Sequence, residues 1–113
     1  MQHWNLNDTP ADSPAVLHSR DGEARVVLLS LPPGQELGEH QVHEAALLLV
    51  VDGAARIESG DRSVDARAGD LIRFDPTERR TVTSVDGARI LLVLAPWPGE
   101  GHYLGEEAFS ASA

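Results

Sequence analysis

Three side chains within five residues, His40, His43 and Glu44, are of the types that hold divalent metals or move protons. They lie in the stretch from Gly34 to Gly53, GQELGEHQVHEAALLLVVDG. Strand side chains alternate between faces, so His40 and His43, three apart, point opposite ways unless a bulge shifts one of them. His40 and Glu44 share a parity and can face inward together. With water, that pair offers a hard or borderline cation a weak seat. The plainer alternative keeps His40 as a hydrogen-bonded histidine near a strand end and His43 on the outer face. Glu44 is then a surface carboxylate beside a turn, or a partner of Arg80.

Other chemistries find no support. The chain has no cysteine, which excludes disulfides, thiolate zinc sites, iron–sulfur clusters and a cysteine nucleophile. It has no G-x-S-x-G, no Walker loop and no dinucleotide fingerprint. His43-Glu44 runs into Ala45-Ala46-Leu47, so the second histidine of H-E-x-x-H is missing. Nine basic against 18 acidic side chains give a net charge of −9. Phosphate backbones and anionic membranes repel such a surface, so no nucleic-acid or membrane partner is expected. The segment MQHWNLNDTP lacks the charged and apolar regions of a signal peptide, and a bacterial, cytoplasmic setting is expected.

The elements that must position these residues read as strands. At 113 residues, 42% of them hydrophobic, one domain with its own core is expected. Residues 1–23 are polar and proline-punctuated, an N-terminal arm with one short strand near Ala15–His18. From Ala24, apolar β-branched segments alternate with turn signals. They are 24–31, 45–51, 54–58, 62–66, 71–74, 80–84 and 88–94. Asp52-Gly53 reads as a two-residue hairpin, and Asp86-Gly87 as a second break. Only the tail 106–113 hints at a helix. Seven or eight short strands predict an antiparallel, all-β sandwich or barrel. Segments 45–51 and 88–94 are apolar on both faces, so a second sheet or a partner subunit should cover the outer one, and a homodimer is expected.

At this point the chain resembles the cupin superfamily, small antiparallel jelly-roll barrels (double-stranded β-helices). The first cupin motif runs Gly, five residues, His, one, His, three, Glu, six, Gly. Gly34, His40 and Gly53 match it, while Val42 takes the second His position and Ala46 the Glu position. Of the second motif, Gly69 matches. Its Pro position is Asp75, with Pro76 one late; its Gly is Thr77, its His is Arg80 and its Asn is Ser84. The resemblance covers about residues 24–96 as the barrel, leaving 97–113 as a C-terminal flap and tail. It implies a barrel pocket lined by His40, Val42, Ala46 and Arg80, with Glu44 nearby.

Cupins usually hold a divalent metal with three histidines and a glutamate. Carried over by position, only His40 survives; Val42 and Ala46 have no donor atoms, and Arg80 repels a cation. The frame puts Arg80 in the barrel mouth, where a guanidinium must meet a carboxylate of the protein or of a ligand. Three functions follow. In the first, the barrel binds a small anionic molecule without metal, Arg80 anchoring and His40 carrying a proton. In the second, His40, His43 and Glu44 form a displaced ligand set for a divalent ion (Zn, Fe, Mn or Ni) in a dioxygenase- or isomerase-type enzyme. In the third, the barrel is a regulatory or interaction scaffold. Against the first stands the plain reading that Arg79 or Arg80 faces solvent. Trp97, between two prolines, reads as a packed flap, and His102 and Tyr103 lie close enough in sequence to reach the pocket mouth.

Overall fold

The computed structural model describes residues 1–40 and 42–99, and all of their side chains except those of residues 38–40. Seven antiparallel strands make up the fold: β1 (Ala15–Ser19), β2 (Glu23–Leu31), β3 (Glu36–His40), β4 (Ala45–Ser59), β5 (Arg62–Arg67), β6 (Leu71–Phe74) and β7 (Arg80–Trp97). Among the described residues there is no helix, and so none long and apolar enough to cross a membrane.

Strands β4 and β7 pair along their lengths, from Ala45↔Ala95 to Glu58↔Thr81. Each serves two sheets. The first half of β4 pairs with β6, and the second half of β7 with β2, which carries β1 on its far side. The second half of β4 pairs with β5, and the first half of β7 with β3. The result is a jelly roll built on one long bent hairpin.

The bend corrects two sequence expectations. Asp52-Gly53 is not a hairpin turn, nor does Asp86-Gly87 end a strand; both sit inside continuous strands. The pairing shifts between Val50 and Asp52 and again between Gly53 and Ala55, as at a β-bulge. Burial records the same slip. Even-numbered residues Ala46, Leu48 and Val50 are buried before the bulge, and odd-numbered Ala55 and Ile57 after it. One extra residue therefore keeps the inner face apolar while the strand changes sheets. Gly53 and Gly87 have φ of 77° and 103°, conformations glycine adopts without a Cβ penalty. β3 was not anticipated: its sequence, ELGEH, is short and polar.

The core lies between the sheets. Ala46, Leu48, Val50, Ile90, Leu92 and Leu94 meet Ala55, Ile57, Ala66 and Val82, with Val42, Phe74 and Trp97 closing the ends. Trp97 is the last residue of β7, not a separate flap; it is buried, with the Arg25 guanidinium 4.9 Å from its ring centroid. On the outer face of the first sheet, Leu47 and Leu71 remain 39% and 62% exposed.

Candidate functional site

Alternation along β7 places Arg80 on the inner face. Arg80, Val82 and Ser84 are buried, and Thr81 and Thr83 between them are half-buried. Arg80 is only 4% exposed. Its guanidinium lies over the ring of Phe74, at the end of β6, 4.9 Å from the centroid. Burial depresses its pKa, because the interior disfavours the charged form, while the Glu78 and Glu44 carboxylates push it back up. A guanidinium stays protonated under such conditions, so the barrel contains a fixed cation.

The segment before β4 follows the same parity. Val42, Glu44 and Ala46 are buried, and His43 between them is exposed. His43 and Glu44 thus point to opposite sides of the chain. Glu44 is 1% exposed, and its Oε2 accepts the N–H of Gly99 at 2.5 Å. That bond ties the chain just past β7 to the start of β4. The His40 backbone pairs with Arg80, but its side chain lies outside the described residues, as do His102, Tyr103 and the tail 106–113.

The turn between β6 and β7 completes this end of the barrel. Thr77 has a φ of 66°, which a β-branched residue rarely adopts, and its N–H donates to the Val42 carbonyl at 2.7 Å. Glu78 is held at both oxygens: Oε2 accepts the Ser59 hydroxyl at 2.6 Å, and Oε1 accepts the Asp75 N–H at 2.9 Å. These two bonds, the Ser59 one first, hold its carboxyl below the ordinary carboxylate range. Sequence reasoning missed Phe74, Glu78 and Ser59. Nothing in their local sequence marks them, since each acts through a neighbour 6, 19 or more residues away.

A family model described as "Cupin domain" matches residues 27–94. The chain belongs to the cupin family. Solved structures share its fold. A protein with a double-stranded β-helix domain from Klebsiella pneumoniae is 19% identical, with a TM-score of 0.75 over 88% of this chain and 93% of that one. An RmlC-like cupin from Desulfovibrio desulfuricans is 20% identical, with a TM-score of 0.75 over 85% and 97%. A cupin superfamily protein from Desulfitobacterium hafniense is 17% identical, with a TM-score of 0.69 over 77% and 81%. No curated protein matches the chain.

Within this cupin the described side chains do not fit the family's usual ion. Val42 and Ala46 are buried and have no donor atoms, and Arg80 brings a positive charge where a metal would need an imidazole. Among the described residues, no three of His, Cys, Asp or Glu gather in a way that could hold a metal. The exposed position of His43 separates it from buried Glu44. What the described site can do is present guanidinium N–H groups, in a low-dielectric setting, to a planar acceptor.

Proposed function

We propose that this cupin binds a small anionic molecule in its barrel without a metal, using the fixed charge of Arg80 where relatives use an ion. The observation that carries the reading is an arginine only 4% exposed, at a family ligand position, beside donor-free Val42 and Ala46. A guanidinium has five N–H donors in a planar fork, enough to face Glu44 and a ligand carboxylate at once. Phe74 holds one face of the fork, so the remaining approach is edge-on, the geometry of two parallel N–H···O bonds. Low local dielectric strengthens each bond. His40, whose backbone pairs with Arg80, is the proton carrier in this reading. The test is a thermal-shift screen of small carboxylic acids on the wild type and Arg80→Met. Acids that raise the wild-type melting temperature should leave the variant's unmoved; equal shifts in both remove the anchor.

In the same reading the protein is a cytoplasmic homodimer. The exposed apolar side chains Leu47 and Leu71 on the first sheet's outer face support this. Sedimentation of the wild type against Leu71→Lys checks it: a monomer in both ends the proposal.

A further inference from the structure

A cleft of about 500 Å³ opens between the edge strands β5 and β6, with Phe74 but not Arg80 in its lining. Its volume lies within the range of small-molecule sites, roughly 300–1,000 Å³. The floor is apolar, made by Ile57 of β4, Val64 of β5, and Ile72 and Phe74 of β6. Ile57 and Phe74, 3% and 2% exposed, lie beneath, and the apolar surface open to a ligand comes from Val64, 37% exposed, and half-buried Ile72. Both edge strands leave this side of the barrel unroofed, because β5 and β6 pair with β4 but not with each other.

The polar groups of the wall differ in what they have left to offer. Both Glu78 oxygens are taken, by Ser59 and by the Asp75 N–H. Asp70 accepts the Arg67 N–H at 3.0 Å. Arg73 is held by Asp75 at 2.5 Å. Arg62, at the start of β5, makes no ion pair or side-chain hydrogen bond among the described residues. Glu78 is thus committed at both oxygens and Asp70 and Arg73 through one atom each, while among the described residues the Arg62 guanidinium is uncommitted at the rim of an apolar floor.

We infer that this cleft is a second ligand site, distinct from the Arg80 site, that takes an organic anion with an apolar body, its charge on Arg62 and its body against Val64 and Ile72. Phe74 is common to both places, in the lining of the cleft and under the Arg80 guanidinium.

The probes are 8-anilinonaphthalene-1-sulfonate, an aromatic anion, and N-phenyl-1-naphthylamine, its neutral counterpart. Both are titrated by fluorescence into the wild type, Arg62→Gln and Val64→Trp, each checked for native circular dichroism. The anion should bind one to one. Arg62→Gln should weaken the anion about tenfold, the effect of losing one charge-assisted hydrogen bond, and leave the neutral probe unchanged. Val64→Trp, which fills the cleft, should abolish both. Arg62→Gln should also keep the wild type's thermal shifts with carboxylic acids, so loss of the barrel site and loss of this one are distinguishable. Full binding by Val64→Trp, or equal weakening of both probes by Arg62→Gln, overturns the inference, as does no binding to the wild type.

Discussion

Arg80 and Phe74 are stacked in the interior, guanidinium over ring at 4.9 Å, with 4% and 2% of their surfaces exposed. A cation–π contact is worth more out of water, about 2 kcal/mol or above against about 0.5–1 at a surface. It offsets part of the cost that burial imposes on the charge, a cost visible in the depressed Arg80 pKa. A double-mutant cycle with Phe74→Leu and Arg80→Met, read by urea denaturation, should give a coupling of about 1–2 kcal/mol. Additivity of the two single effects would show that the stacking contributes nothing.

The corner of the long hairpin predicts a sharp difference between two glycines. A Cβ on Gly53 would come within 2.2 Å of the Gly87 carbonyl oxygen, at a φ of 77°. Gly60, with a φ of 60°, has nothing within 4 Å of its Cβ position. Gly60→Ala should cost about 1 kcal/mol, the strain of a left-handed residue alone. Gly53→Ala should cost about 3 kcal/mol, since two backbones must also separate. Similar losses in both variants would mean that the strands do not approach at this corner.

Acid stability should depend on Ser59 through Glu78. The folded pKa of Glu78 lies below its ordinary value of 4.5, chiefly because of the Ser59 hydroxyl. A depressed carboxylate pKa stabilises the fold above the unfolded value and ceases to do so as pH falls through the folded one. The stability advantage of the wild type over Ser59→Ala should therefore be full well above pH 4.5 and shrink as the pH falls below it. Chemical denaturation at several pH values checks this; a gap independent of pH would contradict it.

Much of the fold was legible because turn signals and alternation are local. The apolar runs at 24–31, 71–74 and 88–94 became β2, β6 and half of β7. Asp52-Gly53 misled because one dipeptide serves both a tight turn and a bulge, and only the pairing of β4 with β7 decides between them. β3 stayed hidden because Glu36–His40 lacks the apolar alternation that marks a strand. At the site, alternation left Glu44 either inward or on the surface, and the burial of Glu44 beside exposed His43 is seen only in the structure. The Phe74 ring under Arg80, the Glu44 bond to Gly99 and the left-handed Thr77 were not legible, since each depends on residues distant in the chain or on the course of a turn.

In the proposed function a protein cation, not a metal, holds the ligand's charge. Isothermal titration of the most strongly stabilising carboxylic acid, with excess EDTA throughout, tests it most directly. Binding to the wild type should be undiminished by the chelator and weakened at least about tenfold in Arg80→Met. Binding that disappears with EDTA, or that survives undiminished in Arg80→Met, would contradict it.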